Sequence, residues 1–179
     1  MTEVATFAGG CFWCMEAVFR PLRGVERIVS GYIGGRLPNP SYAAVCTGVT
    51  GHAEAIQISF DSSVISYLEL LEFFFAFHDP TTLNQQGPDE GTQYRSGIFY
   101  HSTSQREEAE RTIQALEKAG TFPGAIVTEL TPATEFYPAE ASHQDYFRRN
   151  PDNAYCQATI TPKLAKLRRK YAERLARPV

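Results

Sequence analysis

Two periodicities divide the chain. Apolar residues alternate with polar ones over 3–8, 25–33, 52–60 and 95–101, the spacing of half-buried strands, and a further strand is expected at 125–131. Between them a period near 3.6 marks helices. Phe12, Met15, Val18, Phe19 and Leu22 share one face of a helix over 11–21, entered from a glycine turn at Gly9-Gly10 with Cys11 opening it. A second helix covers 66–77, with Ser66 and Glu69 spaced as a capping box and Leu68, Leu71 and Phe75 inward. A third covers 104–118, capped by Ser104 and Glu107, with Ala109, Ile113 and Leu116 inward and Gly120 ending it. Beyond about residue 132 the pattern turns irregular. A short helix near Ser142–Arg149 is stopped by Asn150-Pro151, and a last helix starts with Thr161 as cap and Pro162 as its first residue.

The order βαββαβ predicts an α+β fold, a ferredoxin-like core carrying extra helices, an added strand and a long irregular C-terminal segment. All 179 residues are expected to form a single domain, with ample apolar content at 43%. Two stretches, 34–51 and 78–94, show neither period, and loops of that length in a compact domain are commonly binding loops. The last helix carries Lys163, Lys166, Arg168, Arg169, Lys170, Arg174 and Arg177 around the line Leu164, Leu167, Tyr171 and Leu175, and reads as a solvated face.

A formal charge of −3 argues against nucleic acid as a partner. The N-terminus lacks the basic and apolar regions of a leader, and the run Phe73 to Phe77 is far too short to span a bilayer. A cytoplasmic protein without membrane contact is therefore expected. There the cysteines at 11, 14, 46 and 156 stay reduced unless they cycle.

The candidate chemistry lies in few places. Cys11 at a helix start, after two glycines, sits where free amides and the helix dipole favour thiolate over thiol. Phe12 and Trp13 lie about 100° apart on that helix, so at least one walls the space beside the sulfur. The period of two places Glu54 on the apolar face of its strand with Ile56, Ile58 and Phe60, where a carboxyl either holds a proton near neutral pH or curls into solvent at the strand end. The phenols Tyr32, Tyr42, Tyr94 and Tyr100 cluster near the loops and could donate to an oxygen gaining charge. Cys11-Phe12-Trp13-Cys14 has the spacing of dithiol oxidoreductases, and Cys46 with His52 does not complete a zinc ligand set. His78, His101 and His143 read as structural. No cofactor or metal is called for.

Gly10-Cys11-Phe12-Trp13, Gly48-Val49-Thr50-Gly51-His52-Ala53-Glu54 and Gly91-Thr92-Gln93-Tyr94-Arg95-Ser96 resemble the signature blocks of the A-type peptide methionine sulfoxide reductases. His78-Asp79-Pro80-Thr81, Gln86-Gly87, His143-Gln144-Asp145-Tyr146 and Asn150-Pro151 extend the resemblance over nearly the whole chain. It implies reduction of the S epimer of methionine sulfoxide, free or in proteins, by a monomer that uses thioredoxin or a similar dithiol donor. It further implies Cys11 as nucleophile, Glu54 as acid, Tyr42 and Tyr94 as hydroxyls on the sulfoxide oxygen, Asp89 in their hydrogen-bond network, and Phe12 and Trp13 as the wall for the S-methyl group. Many relatives have glycine at the place of Cys14, and several carry a further cysteine beyond Cys156. Asn150-Pro151 and Tyr155-Cys156 match the resolving segment, which favours Cys156. Cys14 remains the rival: two helical residues three apart are too distant for a relaxed disulfide unless Cys11 is a non-helical cap. A relay from Cys156 to Cys14 is also open, and so are a thioredoxin-like oxidoreductase and a non-enzymatic methionine-binding module.

Overall fold

The computed structural model describes residues 1–176, so Arg177 lies outside the described residues. In chain order the elements are β1 (Thr2–Gly9), α1 (Phe12–Phe19), β2 (Val25–Ile33), α2 (Tyr42–Cys46), β3 (Ala53–Asp61) and α3 (Tyr67–Ala76). They continue with β4 (Gln85–Gln86), β5 (Asp89–Glu90), β6 (Ser96–Tyr100), α4 (Thr103–Lys118), β7 (Glu129–Pro132) and β8 (Tyr137–Pro138). The last are α5 (Tyr146–Arg149), α6 (Ala154–Thr159) and α7 (Thr161–Tyr171). Six strands form one sheet in the order β7-β6-β1-β3-β2-β8. Its central four, β6-β1-β3-β2, are antiparallel and are the ferredoxin-like core expected from the alternation; β7 adds in parallel to β6 and β8 antiparallel to β2. Among the described residues no helix is long and apolar enough to cross a membrane.

The helices cover one face of this sheet. Phe7, Ile56, Ile58 and Phe60 meet Phe12, Met15, Phe19, Leu70, Leu71 and Phe74 there, all fully or almost fully buried. The other face is covered thinly, by Ala8, Ile33, Ala53, Ala55 and Phe99 under Ala133 and Phe136. The Ser66 capping box forms in both directions, with Ser66 N donating to Glu69 at 2.7 Å and Glu69 N to Ser66 Oγ at 3.1 Å. Leu68, expected inward, is 46% exposed, because Leu70, Leu71 and Phe74 hold the core side of α3.

Several other expectations are corrected. Cys11 is not helical: with φ −57° and ψ 125° it is the cap of α1, and the helix is shorter than 11–21. The cap of α4 is Ser102 on Gln105 N, not Ser104. The stretch 34–51 contains α2, whose cap Ser41 accepts from Ala44 N, and 78–94 contains the β4–β5 hairpin. The strand expected over 125–131 pairs only from Glu129 and runs on to Pro132, and the helix expected over 142–149 is a 3-10 turn followed by α5. Thr161 does not cap the last helix; α6 precedes it, and Ile160 is shared between the two. The basic face of α7 is partly engaged rather than simply solvated. Lys166 donates to the Ala76 carbonyl and lies 4.7 Å from the Phe77 ring centre, and Arg174, in the 3-10 turn that follows α7, pairs with Glu69 at 2.6 Å.

The irregular segment is tied down by one buried carboxylate. Glu16, 2% exposed in the middle of α1, accepts from Asp145 N at 2.9 and 3.0 Å, from Ser30 Oγ at 3.1 Å and from Arg20. Asp145 is held there at φ 51°, uncommon for a residue with a Cβ, and Arg20 Nε also reaches its carboxylate at 3.4 Å. Next to it Gln144 spans β2 as a strand would, accepting from Ser30 N at 3.0 Å and donating to Ser30 O at 2.8 Å. Glu16→Ala strands the Asp145 amide and the Ser30 hydroxyl in a buried place, an expected cost of roughly 1–3 kcal/mol. Urea unfolding measures the loss, and limited proteolysis should show faster cleavage between β8 and α6.

Candidate active site

The site forms where β1 runs out into α1. Gly10 turns the chain at φ 94°, and a Cβ there would lie 2.5 Å from Gln86 Cγ. That close approach lets Gln86 hold its own loop over the turn, through Asp79 N and Asp79 O at 2.9 Å each. Cys11 follows. The Trp13 amide is aimed at its sulfur and favours the thiolate, as a helix start should. Burial outweighs it. With 8% exposure, a hydrogen bond to Cys14 and the charges of Glu54 and Cys14 nearby, the Cys11 thiol is pushed well up, against the lowering expected from the helix dipole. The hydrogen bond from Cys11, aided by the Lys163 charge and Thr159, pulls Cys14 down to about 6 despite its burial. The pair therefore holds one proton and one negative charge near neutral pH.

Glu54 is 1% exposed and faces α1 from β3, on the side of Ile56, Ile58 and Phe60, as the alternation predicts; it does not curl into solvent. Its Oε1 accepts from the Phe12 amide at 3.1 Å, while Oε2 is buried without a partner. Burial raises its pKa to about 8; the Phe12 amide opposes this, and the charges of Asp89 and Cys14 add to it. The carboxyl thus keeps its proton at neutral pH and has one oxygen free to give it away.

Tyr42 opens α2 and Tyr94 ends a 3-10 turn after Gly91. Burial and the Glu54 charge push both phenols far above their ordinary range, so both remain donors. Asp89, on β5, accepts from the Tyr155 hydroxyl. Asp89, Tyr155, Cys11, Cys14, Thr159 and Lys163 border a cavity of about 160 Å³. Cys156 packs with Cys11, Cys14 and Ile160 but is wholly buried, and all four cysteines are free thiols.

Phe12 is fully buried, with ring centres of Tyr32, Tyr42 and His143 at 5.7, 6.2 and 5.7 Å. Trp13 lies flat on Tyr146 at 3.7 Å and donates from Nε1 to His143 Nδ1 at 3.2 Å. His143 in turn lies 4.2 Å from the Tyr42 ring, so the structural hydrogen bond expected of it is made within the aromatic site. Burial lowers its pKa, which keeps Nδ1 an acceptor. Glu140 also escaped the sequence reading; it accepts from the Tyr32 hydroxyl at 2.9 Å and the Tyr42 amide at 3.0 Å, fixing the start of α2. The remaining histidines are structural. His52 takes Gly35 N and contacts Leu37 O, His78 sits between Phe74 O and Ser96 Oγ, and His101 meets Thr6 Oγ1.

A family model described as peptide methionine sulfoxide reductase matches residues 3–175. The chain belongs to the peptide methionine sulfoxide reductase family. A peptide methionine sulfoxide reductase MsrA of Leptospira borgpetersenii is 57% identical over 165 residues, 92% of each chain. Among solved structures, Mxr1 from Saccharomyces cerevisiae in reduced form is similar at a TM-score of 0.82 and 38% identity, over 88% of this chain and 91% of that one. Mxr1 in complex with Trx2 is similar at a TM-score of 0.58 and 28% identity, over 81% and 84%.

In this peptide methionine sulfoxide reductase family member the raised pKa of Glu54 has a thermodynamic counterpart. The folded protein keeps a proton that the unfolded chain releases near 4.5, so the stability associated with it is complete below that pH and is lost as pH rises to about 8. Glu54→Gln removes this dependence. Its stability relative to the native chain is expected to rise between pH 4.5 and about 8 and then level off, measured by urea unfolding across that range.

Proposed function

We propose that this protein repairs oxidised methionine by reducing the S epimer of methionine sulfoxide, free or within proteins, with Cys11 as nucleophile and Glu54 as general acid. The observation that carries the reading is the unpartnered Oε2 of a protonated, buried carboxyl beside the thiol pair and the aromatic wall. Such a group is costly to bury and suits an oxygen that must leave with a proton.

The substrate's S-methyl group packs on Phe12 and Trp13, and its oxygen takes hydrogen bonds from Glu54, Tyr42 and Tyr94. Asp89 accepts from the Tyr155 hydroxyl at the border of the cavity that Cys11 shares. As the Cys11 sulfur attacks the sulfoxide sulfur, giving up its proton to the neighbouring Cys14 thiolate, Glu54 transfers its own proton to the oxygen, leaving methionine and a sulfenic acid on Cys11. A thiol of the buried cluster, Cys14 or Cys156, then condenses with it, releasing water and forming a disulfide. Thioredoxin or a similar dithiol protein reduces that disulfide by exchange. The solved complex of Mxr1 with Trx2, a related chain, supports this last step. In the same reading residues 1–179 are one catalytic domain that works without a cofactor, as a cytoplasmic monomer, with neither nucleic acid nor membrane as partner.

Three experiments test the proposal. The separated epimers of methionine sulfoxide should differ sharply in rate, since methyl against Phe12 and Trp13 and oxygen toward Glu54 present the sulfur of only one to Cys11; equal rates would sink it. Glu54→Gln should slow the single-turnover release of methionine by roughly 10²–10⁴-fold with a smaller change in binding. In the native protein the rate of that step should fall as pH rises through about 8, where Glu54 loses its proton, and Glu54→Gln should lose this inflection.

A further inference from the structure

Glu54 stands on a long central strand, but Tyr94 only ends the 3-10 turn Thr92–Tyr94. A single turn of that kind holds a side chain only as well as its surroundings hold the turn. Arg95, between this turn and β6, supplies the hold. Its side chain is 17% exposed, and its guanidinium reaches three elements: Nε donates to Glu129 Oε2 on β7 at 2.8 Å, Nη1 to Thr92 O at 2.9 Å, and Nη2 to Gly51 O at 3.0 Å. Gly51 stands three residues before Glu54, in the approach to β3. The fork therefore ties the turn of Tyr94 to the strand of Glu54. Two longer bonds tie the same turn to the end of α2, which Tyr42 opens: Gln93 Nε2 donates to Cys46 O at 3.4 Å and Thr92 Oγ1 to Gly48 O at 3.5 Å. Gly34 leaves room for the guanidinium, since a Cβ there would lie 2.9 Å from Nη2.

We infer that Arg95 is a positioning residue for the reduction, one that sets the Tyr94 hydroxyl where it meets the sulfoxide oxygen together with Glu54; the inference rests on the sulfoxide reductase reading above. The guanidinium acts through the turn and not on the substrate. A planar fork suits the task, because separate nitrogens take the Thr92 and Gly51 carbonyls while Glu129 fixes the plane through Nε. A lysine at this position keeps a positive charge for Glu129 but cannot hold both carbonyls in one plane. The sheet does not depend on the fork, since β6 pairs with β1 over Thr6–Gly9 and Ser96–Phe99 through its own backbone. Without the fork the core stands while the turn shifts against β3, and a misplacement of about 1 Å can cost on the order of 10²-fold in rate. Tyr94 donates to the oxygen as charge builds there, so the loss falls on the chemical step more than on binding.

The test is a double-mutant cycle on the full chain, read as the single-turnover rate of methionine release from the S epimer, with the burst amplitude counting competent protein and urea unfolding measuring stability. Arg95→Lys is expected to slow release by about tenfold, with little change in the half-saturating sulfoxide concentration. Tyr94→Phe is expected to slow release as well. Adding Arg95→Lys to Tyr94→Phe should then change the rate by less than about twofold, because the hydroxyl that Arg95 positions is gone. An arginine that only stabilised the fold would lower the unfolding free energy and the burst amplitude in both backgrounds and leave the rate constant alone. Where Arg95→Lys does not fold, Glu129→Ala takes its place: it frees Nε and loosens the fork, and its slowing should likewise vanish in Tyr94→Phe. The inference is overturned if the substitution leaves the native rate within about twofold, or if it slows Tyr94→Phe by more than that. Absence of a methionine burst in the native chain overturns the sulfoxide reductase reading, and the inference with it.

Discussion

The structure depends on a carboxyl that has been taken out of water and only half compensated. Glu54 gives one oxygen to the first free amide of α1 and keeps the other bare, 1% exposed under the helix. That single bond joins the central strand β3 to the start of α1, and so fixes the carboxyl relative to Cys11, the preceding residue. A carboxylate in this position would accept the same amide more strongly, but burial and the neighbouring charges of Asp89 and Cys14 oppose ionisation. The proton is therefore held by the fold itself.

A second buried carboxyl group, on α1 itself, is fully paired and structural. Glu16 draws in Asp145, Ser30 and Arg20, and with Gln144 it anchors a segment that has little regular structure of its own. From this anchor the chain sets His143 and Tyr146 on Trp13 and continues into α6, which carries Cys156. α1 therefore organises both sides of the site, the chemical residues through its cap and first turn and the C-terminal wall through its middle. The two carboxylates differ in what reaches them: Glu16 has an arginine and several donors, and Glu54 has one amide.

The strand alternation and the apolar face of α1 made the antiparallel core legible in the sequence, because a sheet covered on one side must repeat every second residue. The same parity placed Glu54 correctly, and the capping box at Ser66 was readable because both of its partners are local. What escaped depends on contacts distant in the chain. His143 gains its place from Trp13 and Tyr42, 130 and 101 residues away, and no local pattern marks it. The helix dipole at Cys11 was read rightly in direction, yet the burial that outweighs it comes from α6 and the 86–89 loop. The helical geometry assumed for Cys11 failed for a smaller reason, since a cap and a first helical residue look alike in a hydrophobic period.

Trp13 is the sole tryptophan of the chain, and it lies flat against Tyr146 with its indole hydrogen bond on His143. Indole emission from this protein accordingly originates at one face of the proposed pocket, and its intensity and wavelength depend on the contact with the C-terminal segment. Any movement of that segment, whether to admit a substrate or to present a buried thiol, is thereby written into the intrinsic fluorescence without a label being attached.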